Sequence, residues 1–323
     1  MNKKFWENKN VLVTGAGGFK GSHLVEKLIK TDANIISLVR DFDPKSYFEM
    51  QKLGDKSVVV VGDLKDYRKI VDILSKYEIT TIFHLGAQPI VTTALLNPIE
   101  TLETNIMGTA NILDAAKNYS KIEEIVMVSS DKAYGPTENI PYKETERLQG
   151  KAPYDVSKSC ADLIAQMYSK IFNLPVTIAR CANVFGPGDL NWNRIVPGIM
   201  ESIIKNKTLQ LRSDGKMIRE YIYVKDSIDA YINLAENINK TRGEAFNVTG
   251  KNVMSVLEII KKTSDILDRK IDYEILNNAR SEIPKQYLDG NKIKNSLGWE
   301  AKTNFEEAIK ETFEWYNQTL NRK

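Results

Sequence analysis

A glycine-rich loop near the start of the chain constrains the fold most strongly. Residues 11–21 read VLVTGAGGFKG, so an apolar run leads into Gly15, Gly18 and Gly21, and an amphipathic helical pattern follows. Glycines at this spacing let the backbone turn tightly and approach a phosphate, while the N–H groups of the helix N-terminus attract it. The pattern predicts a strand, a turn and a helix, and indicates a site for the pyrophosphate of a nicotinamide dinucleotide.

Short apolar runs and helical patterns continue to alternate through the first 180 residues. The runs are apolar almost throughout, which is typical of parallel strands covered on both faces. Strands are predicted at 10–14, 34–39, 57–61, 80–85, 124–129 and 176–180. Helices are predicted at 21–30, 66–76, 98–118 and 154–172. Repeated βα units of this kind predict an α/β fold with a doubly wound parallel sheet of the Rossmann type.

The pattern becomes irregular after residue 180. The later elements predicted are a helix at 198–206, a strand pair at 209–211 and 220–224, and helices at 253–267 and 304–319. We interpret residues 1–180 as a dinucleotide-binding domain and residues 181–323 as a smaller, mixed α/β domain that binds the substrate. The chain is expected to return to the first domain around 226–239.

Charge and cysteine content argue against several classes of protein. A net charge of +3 over 323 residues does not favour a nucleic-acid partner. The apolar runs have the length of strands and cannot span a bilayer, and the N-terminus lacks the apolar segment of a signal peptide. Cys160 and Cys181 form neither a disulfide framework nor a metal-binding spacing, which indicates a reducing cytoplasm. We expect the only histidines, His23 and His84, to pack, and no metal site is predicted.

The end of the second predicted strand bears on the choice of cofactor. An acidic residue about 20 residues past the glycine loop binds the adenosine ribose of NAD, whereas a basic residue there accommodates the 2′-phosphate of NADP. Arg40 and Asp41 are both present at this place. Asp41 favours NAD, and Arg40 leaves NADP open.

Tyr154 and Lys158 lie four residues apart in a helical pattern, so their side chains share one face. A phenol has a pKa near 10 and is a poor base at neutral pH. A neighbouring ammonium lowers that pKa and lets the tyrosine take a proton from a sugar hydroxyl as hydride leaves. Tyr221 and Lys225 have the same spacing, but in an extended segment they stand about 13 Å apart. Only the first pair fits this chemistry.

Further motifs follow one another in the order of a known family. They are GDL at 62–64, HLGAQP at 84–89, TNIMGT at 104–109, SSDKAYG at 129–135, PYDVSK at 153–158, NVFGPGD at 183–189, REYIYVKD at 219–226 and DGNKIKNSLGW at 289–299. With the glycine loop, they resemble the extended short-chain dehydrogenases/reductases that act on nucleotide sugars. The resemblance covers nearly the whole chain.

This resemblance implies a set of binding residues. Those expected to contact the cofactor, besides the loop glycines, are Phe19, Arg40, Asp41, Asp63, Leu64, Gly86, Ala87, Asn105, Ser129, Tyr154 and Lys158. Those expected to bind the nucleotide sugar are Gln88, Asn183, Arg194, Arg219 and Arg280, with arginines suited to its phosphates. The resemblance also implies a homodimer formed through the helices at 98–118 and 154–172.

The triplet Ser130, Asp131 and Lys132 bears on the reaction. Epimerases of this superfamily usually carry a small apolar residue in place of Asp131, whereas 4,6-dehydratases carry an acid. The resemblance therefore implies that Asp131 protonates the departing 6-hydroxyl, Lys132 removes the C5 proton, and Ser130 bonds the 4-oxygen. Tyr154 takes the 4-hydroxyl proton. Hydride leaves C4 and returns to C6, so NAD should stay bound and be regenerated in each turnover.

The sequence leaves more than one substrate and more than one reaction class open. An Asp-Lys pair is found in CDP-glucose 4,6-dehydratases and in those acting on N-acetylglucosamine nucleotides, whereas dTDP-glucose enzymes have Asp-Glu. The pattern most resembles the dehydratase of legionaminic acid biosynthesis, which implies GDP-N-acetylglucosamine, with UDP-N-acetylglucosamine or CDP-glucose as alternatives. A nucleotide-sugar 4-epimerase or C4 oxidase is the nearest alternative activity. A binding protein that has lost the chemistry is the alternative from another class.

Overall fold

The structure, a computed structural model, describes residues 1–278 and 283–321. Its strands are β1 (Asn10–Thr14), β2 (Asn34–Val39), β3 (Val58–Val61), β4 (Thr81–His84), β5 (Glu124–Ser130), β6 (Val176–Cys181), β7 (Asn183–Phe185), β8 (Leu209–Leu211), β9 (Ile218–Tyr223), β10 (Ala245–Val248), β11 (Asn252–Ser255), β12 (Tyr273–Ile275) and β13 (Lys285–Gln286). Seven of them form one parallel sheet in the order β10-β6-β5-β4-β1-β2-β3.

The α-helices alternate with these strands along the chain. They are α1 (Lys3–Trp6), α2 (Phe19–Leu28), α3 (Tyr47–Met50), α4 (Tyr67–Lys76), α5 (Val91–Leu96), α6 (Pro98–Leu102), α7 (Gly108–Lys117), α8 (Pro153–Phe172), α9 (Ile195–Lys205), α10 (Val224–Glu236), α11 (Ile238–Thr241), α12 (Val256–Leu267), α13 (Asn291–Leu297) and α14 (Phe305–Leu320). Short 3₁₀ helices span Leu53–Lys56 and Asp131–Tyr134, and a π-helical turn spans Glu103–Met107.

Alternate side chains of the central strands enter two separate cores. In β1, Val11 and Val13 pack into the cluster that contains α2, whereas Leu12 packs into the cluster that contains α4 and α7. A sheet covered on both faces needs strands that are apolar throughout, as the sequence pattern indicates. The predicted doubly wound parallel sheet is therefore confirmed.

The second half of the chain differs from prediction in its strand pairing. The predicted strands at 209–211 and 220–224 do not pair with each other. Instead β8 pairs with β12, while β9 pairs with β7, β11 and β13. These partners are short and distant in sequence, so hydrophobic periodicity gave no signal for them.

Three helices also differ from prediction by an interruption or by more than two residues at one end. The segment at 98–118 is interrupted by the π-helical turn between α6 and α7. The helix predicted at 253–267 begins only at Val256, because Ser255 and Glu258 form a capping box and the preceding residues belong to β11. The helix predicted from residue 198 begins earlier, at Ile195.

After β9 the chain passes back to the large sheet. The helix α10 packs against α2, β5 and β6. The strand β10 then pairs in parallel with β6 at the edge of the sheet. The division of the chain into domains at residue 180 stays a prediction. Within residues 1–278 and 283–321, no helix is both long enough and apolar enough to cross a membrane.

Candidate active site

A cleft of about 530 Å³ opens where β5 and β6 end. Ser130 from the end of β5, Cys181 from the end of β6 and Tyr154 from the first turn of α8 all line it. The strand order reverses between β1 and β4. Open parallel sheets bind ligands outside the carboxyl ends of their strands, near such a reversal. The cleft is thus the candidate active site.

The predicted triplet forms a hydrogen-bonded unit in this cleft. Ser130 ends β5, and Asp131 and Lys132 begin the 3₁₀ helix that follows. Lys132 Nζ donates to Asp131 Oδ2 at 3.0 Å, and Ser130 Oγ donates to Asp131 Oδ1 at 3.0 Å. Asp131 is only 2 % exposed, so protein donors rather than bulk water hold its carboxylate. An acid and a base are therefore in direct contact.

Lys158 is buried one helical turn after Tyr154. Its Nζ donates to the main-chain oxygen of Val128 at 3.1 Å. Burial lowers the pKa of Lys158 to about 7, and the positive charge of Lys20 acts in the same direction. A buried ammonium of this kind changes its charge near neutral pH.

Tyr154 is partly buried and lines the cleft beside the triplet. Burial raises the pKa of its phenol to about 12, although the charge of Arg194 and a hydrogen bond with Ser130 lower it. Asp131 raises the pKa of Tyr154 further. The protein alone therefore keeps Tyr154 protonated at neutral pH, and an added positive charge in the cleft would be needed to make it a base.

The glycine loop has the predicted form. Gly15 has a φ of +68°, and a Cβ there would lie 2.8 Å from Gly86 Cα. A Cβ on Gly21 would lie 2.0 Å from the main-chain oxygen of Gly15. Gly18 is the N-cap of α2, and no side chain caps that helix, which leaves its first N–H groups to a ligand. Gly86 and Ala87 follow β4 beside this turn.

Two more of the predicted cofactor residues, Phe19 and Ser129, line the cleft. Ser129 is 1 % exposed, and its Oγ has no hydrogen-bond partner in the part of the chain that the structure describes. A buried hydroxyl without a partner is uncommon in folded proteins. A bound group that reached Ser129 would supply the missing partner.

Four more of the residues predicted to contact the cofactor follow β2 and β3. Arg40 and Asp41 form an ion pair of 3.0 Å between Arg40 Nη2 and Asp41 Oδ2, and both side chains are exposed. Asp63 Oδ1 accepts the main-chain N–H of Lys65 at 2.8 Å, and Leu64 is buried. Arg40 and Asp41 thus follow β2, which lies next to β1, and Asp63 and Leu64 follow β3, which lies next to β2.

Gln88 and Asn105 hold the loop after β4. The Asn105 side chain accepts the N–H of Gln88 at 2.7 Å and donates to Ser157 Oγ at 2.9 Å. The Gln88 side chain donates to Thr101 Oγ1 at 2.8 Å and accepts the N–H of Ile90 at 2.6 Å. Neither residue belongs to the described lining of the cleft. Their contacts with ligands stay predictions, whereas their contacts within the loop are structural.

The predicted substrate residues Asn183 and Arg219 line the cleft on the side of β7 and β9. Asn183 Nδ2 donates to the main-chain oxygen of Glu220 at 3.1 Å, and Arg219 Nη1 donates to that of Ile218 at 2.9 Å. The predicted phosphate-binding residue Arg280 lies outside the described residues.

Arg194 also lines the cleft, at the residue before α9. Its Nη1 donates to both carboxylate oxygens of Asp189, at 3.1 and 3.0 Å. Asp189 is 2 % exposed, so this ion pair fixes the guanidinium at the edge of the cleft. The pair places a positive charge near Tyr154, whose pKa it lowers.

Sequence reasoning missed two residues of the site. Lys20 lines the cleft from the first turn of α2, with its Nζ 5.9 Å from the centre of the Tyr231 ring. Its position inside the glycine motif was a usable signal. Gln286 on β13 donates to the main-chain oxygen of Asp131 at 3.0 Å and accepts from Lys132 Nζ. It stands 155 residues from Asp131 and belongs to no motif, so the sequence offered no signal for it.

Both histidines are buried in packed surroundings. His23 stacks on Tyr47 with 4.1 Å between ring centres, and its Nε2 lies 2.8 Å from the main-chain oxygen of Pro187. His84 contacts the hydroxyls of Thr14 and Thr109 at 2.8 and 3.0 Å, and burial lowers its pKa to about 3. Among the described residues, no group of three or more His, Cys, Asp or Glu side chains is arranged to hold a metal.

Several known proteins are similar to this chain. CDP-glucose 4,6-dehydratase of Salmonella typhimurium is 31% identical over 98% of this chain and 92% of its own length. The structure of a UDP-glucose 4-epimerase from Thermotoga maritima with UDP-glucose is 28% identical, with a TM-score of 0.87 over 97% of this chain and 100% of the other. A dTDP-glucose 4,6-dehydratase from Streptomyces venezuelae, crystallised with NAD, is 25% identical, with a TM-score of 0.87 over 96% and 97%.

The family assignment rests on the length of the match. The sequence model of the GDP-mannose 4,6-dehydratase family matches residues 12–312, which include the glycine loop, the triplet and the tyrosine–lysine pair. The resemblance to extended short-chain dehydrogenases/reductases with 4,6-dehydratase activity is thereby confirmed. The chain belongs to the GDP-mannose 4,6-dehydratase family.

Proposed function

We propose that this protein converts a nucleotide-linked hexose to its 4-keto-6-deoxy form by eliminating water across C5 and C6. The observation that carries the proposal is the contact of Asp131 with Lys132, at 3.0 Å, beside Tyr154 in one cleft. An oxidation at C4 needs only the tyrosine and its lysine. An additional acid and base in contact are what an elimination needs.

The residues present fit NAD as the resident cofactor. The uncapped N-terminus of α2 suits a pyrophosphate, and the buried Ser129 Oγ has a free hydrogen-bonding position for a polar group such as an amide. Asp41 favours the unphosphorylated ribose of NAD. A bound NAD would supply the acceptor for hydride from C4 of the sugar and the donor of hydride to C6. The related dTDP-glucose 4,6-dehydratase structure with NAD supports this choice.

In the first step Tyr154 takes the proton of the 4-hydroxyl. Its pKa must fall from about 12 for this, and positive charge in the filled site acts in that direction. Ser130 hydrogen-bonds to Tyr154 and to Asp131, and would bond the 4-oxygen as well. Lys158 would hold the cofactor ribose and present its charge to Tyr154.

In the second step Lys132 takes the C5 proton, which the 4-ketone has made acidic, while Asp131 gives a proton to the departing 6-hydroxyl. The hydroxyl leaves as water, and a C5–C6 double bond forms. Lys132 then returns a proton to C5 as hydride reaches C6. Ser130 hydrogen-bonds to both Tyr154 and Asp131, so the proton that Tyr154 takes from the 4-hydroxyl would pass through Ser130 to Asp131 Oδ1. Asp131 is then the acid, and Lys132 acts as the amine. The sum of the steps is the loss of one water.

For the sugar nucleotide we propose GDP-N-acetylglucosamine first, on the sequence resemblance to the dehydratase of legionaminic acid biosynthesis. CDP-glucose is the second candidate, because a CDP-glucose 4,6-dehydratase is 31% identical over nearly the whole chain. Arg194 and Arg219 line the cleft and would bind the diphosphate that both substrates share. Turnover of GDP-, UDP-, CDP- and dTDP-linked glucose and N-acetylglucosamine, followed by mass spectrometry for loss of water, tests both. Absence of a dehydrated product from the whole panel would contradict the proposal.

We also propose a homodimer formed through α6, α7 and α8. On α8 the apolar side chains of Leu163, Met167 and Ile171 are 52, 40 and 71 % exposed and recur every four residues, so they form one stripe. Ile99 on α6 and Met107 in the π-helical turn are also more than half exposed. A second copy would cover this surface, which is rarely left open on a monomer.

A further inference from the structure

Gln286 lies between the strand β9 and the triplet Ser130, Asp131 and Lys132. It lies on β13, which pairs in parallel with β9, and its register partner is Arg219 of the cleft. The adjoining main chain is also anchored, because the N–H of Leu288 donates to Glu220 Oε2 at 2.9 Å. Gln286 is 1 % exposed. Its side chain therefore has a single, well-supported position.

Both ends of the Gln286 amide are used by the catalytic triplet. Nε2 donates to the main-chain oxygen of Asp131 at 3.0 Å, and Oε1 accepts from Lys132 Nζ. One partner is an acceptor and the other a donor, so only this orientation of the amide satisfies both. Gln286, although far away in sequence, thus contacts both the main chain of Asp131 and the side-chain nitrogen of Lys132.

The hydrogen bonds of Lys132 Nζ determine where its lone pair can lie. A neutral amine has two hydrogens and one lone pair, arranged with Cε around the nitrogen. Asp131 and Gln286 accept one hydrogen each, so the lone pair must occupy the remaining position. We infer that Gln286 is a positioning residue that aims the lone pair of Lys132 at the C5 hydrogen of the sugar.

The neutrality of Gln286 is also part of its role. Asp131 and Asp155 are the carboxylates whose charges act on or with Lys132, from the triplet and from α8. A third carboxylate at position 286 would hold Lys132 as the ammonium, which cannot accept a proton. An amide orients the nitrogen without adding that charge. The inference rests on the dehydratase chemistry proposed above, because only the elimination uses Lys132.

Two substitutions separate orientation from charge. Gln286→Leu removes both hydrogen bonds, whereas Gln286→Glu keeps the shape and adds a carboxylate. Gln318→Leu, at an exposed position on α14, is the matched control. Each holoenzyme is first compared with the native protein by thermal unfolding and by its content of bound nicotinamide. If the leucine variant does not fold, the glutamate variant carries the test.

The measurement is a single turnover with two readouts, the absorbance of reduced nicotinamide for C4 oxidation and product formation for elimination. In Gln286→Leu we expect oxidation within about twofold of native, elimination slower by about tenfold or more, and an equal loss of C5 hydrogen exchange in heavy water. In Gln286→Glu we expect the elimination to need a higher pH than in the native enzyme.

Equal slowing of both steps, or of neither, in Gln286→Leu would overturn the inference, as would an unchanged pH profile in Gln286→Glu. These outcomes are distinct from failure of the proposed function. If the native enzyme forms no 4-keto-6-deoxy sugar, the dehydratase proposal is wrong. If the native enzyme forms this product and the variants show the same ratio of oxidation rate to elimination rate as the native enzyme, only the role of Gln286 is wrong.

Discussion

At the scale of single residues, two pairs of side chains lie in different surroundings. Burial raises the pKa of Tyr154 to about 12 and lowers the pKa of Lys158 to about 7. Asp131 and Lys132 are instead held by each other. In the proposed mechanism the first pair therefore depends on the charge of a bound cofactor, and the second depends on the contact between its two members. Substitutions in the two pairs should affect different steps.

Asp131→Asn tests this separation. Asparagine keeps the shape of the side chain but cannot protonate the departing 6-hydroxyl, so elimination should slow by roughly 10²-fold or more. Oxidation at C4 should continue, and reduced nicotinamide should accumulate on the enzyme. Stopped-flow absorbance during a single turnover measures both steps. Loss of oxidation together with elimination would show that Asp131 acts in the first step as well. Asp265→Asn on α12 is a suitable control.

At the scale of elements, the βα units could be read from the sequence because their signals are local. The glycine loop, the continuous apolar strands and the helix carrying Tyr154 and Lys158 all depend on neighbours within a few residues. The pairing of β8 with β12 and the contact of β13 with the triplet could not be read in that way. Both join segments that are far apart, and β13 has only two residues. The missed contacts are therefore those made by tertiary packing alone.

The helix α2 should influence the titration of Lys158 on α8. The charge of Lys20 helps burial to lower the pKa of Lys158 to about 7, so this ammonium is lost as the pH rises through that value. In Lys20→Met the pKa of Lys158 should be higher, and the alkaline fall of the C4 oxidation rate should move to higher pH.

The control for Lys20→Met is Lys27→Met on the same helix, where Lys27 is partly exposed and pairs with Asp229 at 3.0 Å. It should leave the pH profile unchanged. The measurement is the rate of nicotinamide reduction against pH. A profile that does not move in Lys20→Met would contradict the coupling between α2 and α8.

The strand β9 carries a buried carboxyl that should make stability depend on pH. Burial raises the pKa of Glu220 from 4.5 to about 8, so the folded protein favours the protonated form. Stability from this group is present below the unfolded pKa and is lost as the pH rises toward 8. Glu220→Gln should therefore raise the melting temperature relative to native at pH values near 8 and little below 4.5.

Thermal unfolding at several pH values measures this difference, with the exposed Glu274→Gln on β12 as control. A difference between Glu220→Gln and native that does not grow with pH would contradict a protonated Glu220.

At the scale of the whole molecule, the apolar stripe on α8 predicts the oligomeric state. Two lysines in place of Met167 and Ile171 would bring charge into the proposed interface, where burying it is costly. The double variant should elute as a monomer by size-exclusion chromatography with light scattering, while the native protein elutes as a dimer. Ile275→Lys, at an exposed position on β12, should leave the dimer intact. A native monomer would contradict the interface.

The central claim is that hydride leaves C4 and returns to C6 of the same sugar while the 6-hydroxyl is lost. The most direct test is turnover of GDP-N-acetylglucosamine and CDP-glucose carrying deuterium at C4, with the product analysed by NMR. The account predicts a 4-keto sugar with deuterium in its C6 methyl group and no net consumption of NAD. A product inverted at C4 that keeps its 6-hydroxyl would contradict it, and would assign the cleft to an epimerase.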